Sequence, residues 1–189
     1  MTRPPKAKLA VLEAARRIVS SKGTGSLTFE TLVAESGITR GGITYHFPTK
    51  EALLYALIEH DLAQWNALEA AQRPDCDCPQ AADLIAHVRA HTGQGTDKRR
   101  FVAGMLSAAT LDPTLLDPVR GHFREVYADT DWNDAELKRH ILRLAAEGLF
   151  WSEIFECFEL PAAARARLVK MLEELAQSWA DQPLPQPNE

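Results

Sequence analysis

The chain has 189 residues, of which 46% are hydrophobic and 25% charged, and it carries a net charge of −5 at neutral pH. That balance belongs to a globular protein with one or two small domains and a real core. It contains no run of about 18 apolar residues, which excludes a membrane-spanning helix.

The N-terminus, MTRPPKAKLAVLEAARR, has a basic start but no apolar stretch followed by a small-residue cleavage site, so it does not read as a signal peptide. Three cysteines, Cys76, Cys78 and Cys157, are too few and too unevenly placed for a disulfide framework. A reducing cytoplasm is the expected location. The charge is not spread evenly. Residues 1–60 hold eight Lys/Arg against five Asp/Glu, a balance of +3, and the remainder holds 13 against 21, a balance of −8. A basic end on an acidic body hints at an anion-binding end.

In chain order, every segment reads as helix, because none shows strand-like alternation. Over 6–22 the residues Leu9, Leu12, Ala15, Ile18 and Val19 recur at helical spacing, and Gly23 stands where a C-terminal cap belongs. Thr28 can N-cap a short helix, FETLVAES, with Glu30 in its first turn. Gly37 ends that helix, and Thr39 can cap a third, stopped by Pro48. Thr49 opens a longer fourth helix. The stretch RPDCDCP at 73–79, with two prolines and no apolar periodicity, reads as the domain boundary. Five further helices are expected at about 80–91, 97–109, 114–128, 134–158 and 161–180, on breaker and capping signals such as Gly93, Gly95, Asp112-Pro113 and Pro161. Asn133 followed by Glu136 suits a capping box. The proline-rich tail 183–189 is expected to be disordered. The fold class is therefore all-α.

Two short helices joined by a glycine-containing turn of three to four residues form a helix-turn-helix signature. The second helix of such a motif enters the DNA major groove. In this chain that helix spans 39–46, and two glycines, Gly41 and Gly42, sit in it at a cost of about 0.5–1 kcal/mol each relative to alanine. Missing side-chain bulk where the helix must approach a duplex accounts for them. Thr39, Arg40, Thr44, Tyr45 and His46 are then the reading or clamping groups, with Arg40 able to pair bidentately with guanine or to hold a phosphate. Thr28 and Thr39, at helix starts, offer hydroxyls and backbone N–H groups to phosphates. Lys50 opposes the helix dipole in the first turn of the fourth helix, which a nearby phosphate would explain. The plainer readings are a loop for Gly41-Gly42 and core aromatics for Tyr45, His46 and Phe47. For Phe47 the core reading is favoured.

Residues 11–53, VLEAARRIVSSKGTGSLTFETLVAESGITRGGITYHFPTKEAL, resemble the TetR family of bacterial transcriptional regulators. The matching parts are Ala14-Ala15 with Ile18-Val19, the closing Gly23, Thr28, the turn Ser36-Gly37-Ile38-Thr39, the run Arg40-Gly41-Gly42-Ile43, and the junction from Tyr45 to Leu53. Three positions depart from the pattern. Thr44 stands where the family often has a phosphate-binding tyrosine, Val33 replaces a small alanine, and Val19 replaces a common phenylalanine. The resemblance implies about nine helices, with a helix-turn-helix domain over 1–50, a larger effector-binding and dimerisation domain over 51–182, and the tail beyond. It implies a homodimer on a palindromic operator in double-stranded DNA and a small-molecule effector, most simply for a repressor.

The sequence allows the dimer. Ala145, Gly148 and Ile141 with Leu149 on the eighth helix, and Leu168, Met171, Leu172 and Leu175 on the ninth, are spaced for a four-helix interface between two chains. The alternative is that these stripes bury against the chain's own core. An effector cavity could be lined by His87, Met105, Phe123, Phe150, Trp151 and Phe155, since such cavities are mostly apolar with few polar groups. His87 and His91 have i, i+4 metal-ligand spacing but no HExxH context. Cys76-x-Cys78 is half a zinc set and reads as an incidental loop. No metal and no cofactor is therefore expected. The run Lys98-Arg99-Arg100 reads as a solvated face. No G-x-S-x-G elbow or phosphate loop exists, so no enzyme activity is expected. The competing classes are a ligand- or metal-sensing helical module and an enzyme that has kept a regulator-like fold.

Overall fold

The computed structural model describes residues 4–180. Among them lie nine α-helices and no strand: α1 (Pro4–Lys22), α2 (Phe29–Ser36), α3 (Arg40–His46), α4 (Lys50–Ala71), α5 (Pro79–Thr92), α6 (Thr96–Leu111), α7 (Asp117–Val126), α8 (Asp134–Ile154) and α9 (Ala162–Ala180). Single 3-10 turns stand at Thr24–Ser26 and Pro113–Leu116. No described helix is long and apolar enough to cross a membrane. The tail at 183–189 lies outside the described residues.

Local chemistry sets the boundaries. Gly23, at φ 74°, closes α1 and donates its N–H to the Val19 carbonyl at 2.9 Å, a positive-φ conformation that glycine adopts without strain. The helix expected over 114–128 is split. Asp112 accepts the Thr114 N–H at 3.1 Å and caps the 3-10 turn, and α7 starts afresh at Asp117. The helix expected to reach 158 ends at Ile154, and Glu156 just beyond it takes a left-handed φ of 50°. Asn133 caps α8 by accepting from Ala135 and Glu136. The reciprocal half of the expected capping box does not form, because Asn133 N–H donates to the Asp131 carbonyl and Glu136 pairs with Arg139.

The chain makes two compact units. Among the described residues, one holds 4–64 together with Gly95–Glu125, and the other holds Trp65–Gln94 and 126–180. In the first, Val11, Ala15, Ile18 and Val19 of α1 bury against Leu32 of α2, Ile43 of α3, Leu53 and Leu57 of α4 and Phe101 and Met105 of α6. Full burial of each large apolar side chain contributes about 1.5–3 kcal/mol. Leu9, expected in the buried stripe, is instead exposed. Where α1 crosses α6, a Cβ on Gly104 would lie 2.9 Å from Val19 Cγ1. The glycine and the small valine together allow a close approach that a phenylalanine at 19 would obstruct.

Lys98 corrects the reading of a solvated basic run. It is only 8% exposed, and its ammonium lies 2.6 Å from both Asp61 carboxylate oxygens. Arg16 reaches the same carboxylate at 2.8 Å. Burial pulls the Lys98 pKa down and the Asp61 charge resists it. Removing one partner of such a pair leaves a desolvated charge. Asp61→Ala is therefore expected to lower unfolding free energy by about 3 kcal/mol or more, with Asp61→Leu/Lys98→Met recovering most of it. Denaturant titration of the three proteins checks this.

In the second unit, Leu84, Ile85 and Val88 of α5 pack with Leu142 and Ala146 of α8 and Leu172 and Ala176 of α9. Arg89 of α5 holds Glu173 of α9 through two hydrogen bonds of 2.9 Å. The outer face of α8 and the turn after it expose Ile141 (57%), Leu144 and Phe155 (62%), and α9 exposes Met171 (50%).

Candidate functional site

The helix-turn-helix forms as the capping residues dictate. Thr28 accepts the Thr31 N–H at 3.2 Å and its own N–H donates to Thr31 Oγ1 at 3.0 Å, a capping box with threonine in the usual Glu/Gln place. Gly37, at φ 69°, ends α2 in the left-handed conformation. Thr39 then caps α3, accepting the Gly42 N–H at 3.2 Å.

The two glycines divide the labour. A Cβ on Gly41 would meet nothing within 4 Å, whereas one on Gly42 would lie 2.9 Å from Ile38 Cγ2 and 3.3 Å from Thr39 Oγ1. Gly41 thus thins the outward face of α3. Gly42 has a local cause inside the turn, which corrects the single explanation given to both.

Of the other candidates, Thr28, Thr39 and Arg40 are exposed, and Tyr45 is 79% exposed. The half-buried Thr44 returns its hydroxyl to the backbone, donating to the Arg40 carbonyl at 3.0 Å. His46 packs edge-on to Tyr45, with ring centroids 5.0 Å apart. Phe47 is buried in the core. Lys50 has a partner within the protein, its Nζ donating to the Thr24 carbonyl at 2.8 Å. The lysine assigned to a phosphate therefore has a structural cause.

One group on this edge has no sequence signal of its own. The Arg40 guanidinium lies 2.8 Å from Glu30 and 5.3 Å from the Phe29 ring centroid. The pKa of Glu30 is lowered, first by hydrogen bonding to its own backbone, then by the Thr28 hydroxyl and the charge of Arg40. An anion therefore sits against the cation best placed to contact a base or phosphate.

The six proposed cavity residues do not converge. Met105 is core and Phe123 is exposed, both in the first unit. Trp151 and Phe155 stack on each other at 6.0 Å, with Phe155 largely exposed. His87 and Phe150, by contrast, are buried in the second unit, where a different set gathers around them. His91 joins them, its ring 4.0 Å from that of His87, 4.5 Å from Trp65 and 5.9 Å from Phe150. His87 Nδ1 lies 3.3 Å from Glu69 and 3.2 Å from Arg143, and its Nε2 lies 3.5 Å from Glu147. Burial pulls the His87 pKa down, but the Glu147 and Glu69 carboxylates outweigh it and the net shift is upward. Burial, then the charge of His87, push His91 down to about 4. Glu147 and Glu69 are lowered: burial raises both, and their interactions with His87 prevail. The i, i+4 spacing of the two histidines is the sequence signal; Glu69, Trp65 and Glu147 carry none.

The interface candidates separate as well. Leu149 and Leu172 are buried within the second unit, and Leu172 belongs to its core. They are corrected to core residues, because the Leu172–Ala176 side of α9 faces α5 and α8. Ile141, Ala145, Gly148, Met171 and Leu175 remain exposed, and Leu168 is half-buried.

Comparison with known proteins agrees with this architecture. Residues 11–57 match the family model described as bacterial regulatory proteins, tetR family, and residues 81–177 match the tetracyclin repressor-like C-terminal domain. The HTH-type transcriptional regulator RutR of Escherichia coli strain K12 is 31% identical over 121 residues, covering 62% of this chain and 55% of RutR. The chain thus spans about half the length of the curated relatives it matches. A transcriptional regulator from Saccharomonospora viridis, solved in complex with choline, superposes with a TM-score of 0.69 at 16% identity, over 92% of this chain and 96% of that one. The multidrug binding protein EbrR, complexed with imidazole, gives 0.64 at 22% identity, over 100% and 96%. These two likenesses show the fold. The sequence match at the helix-turn-helix, joined to a C-terminal match over just over half of the chain, places this protein in the tetR family of bacterial regulatory proteins.

Proposed function

We propose that the chain is a homodimeric DNA-binding transcriptional repressor released by a small-molecule effector. The observation that carries the reading is the outward edge of the helix-turn-helix. Thr39, Arg40 and Tyr45 stand exposed on a helix thinned at Gly41, the arrangement a major-groove reader needs. Thr28 and Thr39 present hydroxyls at two helix starts, positioned for phosphates. The exposed apolar side chains of α8 and α9 support a twofold interface. A dimer would set two recognition helices about 34–36 Å apart on a palindromic site.

Release follows as a population shift. An effector that binds the C-terminal helices more tightly in one conformation favours that conformation, and a coupling of about 1–3 kcal/mol relieves DNA binding several-fold to hundredfold. Selection from random-sequence duplexes, followed by binding to the enriched site across a salt series, tests the reading. The expected result is a palindromic site bound at least about a thousandfold tighter than random DNA, with a steep negative log–log salt slope. Failure to enrich any site would overturn it.

A further inference from the structure

Among the described residues, His87 and His91 of α5 and Glu147 of α8 bring one ligand atom each within 4.8 Å of one another. Such a set differs from an acidic surface cluster in three respects. The first is burial: His87 is 8% exposed at its side chain, and its Nε2 makes no hydrogen bond, with a Glu147 carboxylate oxygen standing off at 3.5 Å. A buried polar atom in that state calls for an explanation, and an ion is one of the few available.

The second is tautomer control. His91 Nδ1 lies 2.9 Å from the His87 carbonyl, which can only accept, so Nδ1 carries the proton and Nε2 keeps its lone pair. His87 Nδ1 lies 3.3 Å from a Glu69 carboxylate oxygen, a partner that would hold the proton on Nδ1 and leave Nε2 as the ligand atom. A backbone carbonyl behind one histidine and a carboxylate behind the other is the outer shell that metal-binding imidazoles use. Arg143 Nη1, 3.2 Å from His87 Nδ1 and 3.9 Å from Glu69, can only donate and competes for that nitrogen. Once Nδ1–H is committed to Glu69, the guanidinium pairs with the carboxylate instead.

The third is size and charge. Ligands at about 2.0–2.1 Å from a tetrahedral zinc ion stand about 3.3 Å apart. His87 Nε2 and Glu147 are 3.5 Å apart, and the widest separation of 4.8 Å needs one side chain to close in. With neutral imidazoles, Glu69 and Glu147 against Arg143 leave one net negative charge, which suits a cation. Trp65 and Phe150, edge-on to the His91 ring, wall the cluster with apolar surface.

We propose that His87, His91 and Glu147 form a site for a borderline divalent transition metal, zinc above all, with Glu69 as the positioning residue behind His87. Two nitrogens and one carboxylate oxygen match zinc's donor preferences, and three protein ligands leave a fourth position for water or an exogenous donor. The sequence reading assigns no metal because the third ligand lies on another helix, in a stretch with no metal-binding pattern. This site does not depend on the DNA-binding reading, and its test uses no DNA.

The full chain, stripped with EDTA, is titrated with Zn²⁺ by calorimetry and with Co²⁺ by visible absorption. One ion per chain is expected, with cobalt d–d bands and no thiolate charge-transfer band. Glu147→Gln and His91→Gln should each weaken binding by more than about 100-fold, and Glu69→Gln by about 10- to 100-fold, the range seen for outer-shell carboxylates. Cys76→Ser/Cys78→Ser should bind as the parent does. Circular dichroism verifies that each variant is folded, and the half-buried position of Glu147 makes Glu147→Gln the safest of them. No saturable binding, binding that survives Glu147→Gln, or binding lost with the cysteines would each overturn the proposal.

Discussion

Arg40→Ala is expected to lower affinity for the selected operator about 5- to 150-fold, the equivalent of one bidentate base contact at about 1–3 kcal/mol. The free protein holds this guanidinium against Glu30 at 2.8 Å. Both side chains are largely exposed, so the pair contributes little and a guanine or phosphate can displace it. Glu30 itself should oppose binding, since it adds an anion to a surface that must meet phosphates. Glu30→Gln is accordingly expected to tighten binding to any duplex about two- to fivefold at low salt, with the gain shrinking as salt rises. Quantitative mobility shifts on operator and random duplexes separate base from phosphate contact. A loss confined to the operator assigns Arg40 to a base; an equal loss on both assigns it to a phosphate. Unchanged binding in Arg40→Ala would move the reading to Tyr45 and the helix starts.

The second large effect is on assembly. Ile141→Glu/Met171→Glu is expected to leave the fold intact and to convert the proposed dimer into a monomer. Both side chains are about half exposed in the single chain, so a charge there costs the monomer little. In an isologous interface each substitution appears twice, and each buried carboxylate without a partner is costly. Together they should weaken dimerisation by at least about a thousandfold, equivalent to about 4 kcal/mol. Sedimentation equilibrium measures it, and operator binding should fall with it while random-duplex binding changes less. A parent protein that is monomeric, or a variant that remains dimeric, would remove α8 and α9 from the interface.

The helix starts and stops are legible in the sequence because they are local. Gly23, Thr28, Gly37 and Thr39 act within four residues of themselves, and each caps as its chemistry requires. Lys98 and Lys50 are not legible, because a charged side chain in a sequence carries no mark of what lies across from it. Asp61 and the Thr24 carbonyl, their partners, are supplied by tertiary packing. On α9, periodicity identifies an apolar helix but not which of its sides is covered, so Leu172 and Met171 look alike. Glu30 and Arg40 are ten residues apart, and only the turn between α2 and α3 brings them together. The buried cluster is half visible: the His87/His91 spacing lies within one helix, whereas Glu147 and Glu69 arrive from two others.

The close crossing at Gly104 and Val19 has a practical consequence for dissecting the molecule. Phe101 and Met105 of α6 complete the core that α1 begins, so the DNA-facing head is discontinuous in sequence. A fragment cut after α4 would keep every residue of the recognition motif and still lack one wall of its own interior. The head should therefore be prepared as the intact chain, or as a fusion that splices 95–125 back after residue 64. A terminal truncation would measure the stability of an open core and say little about DNA.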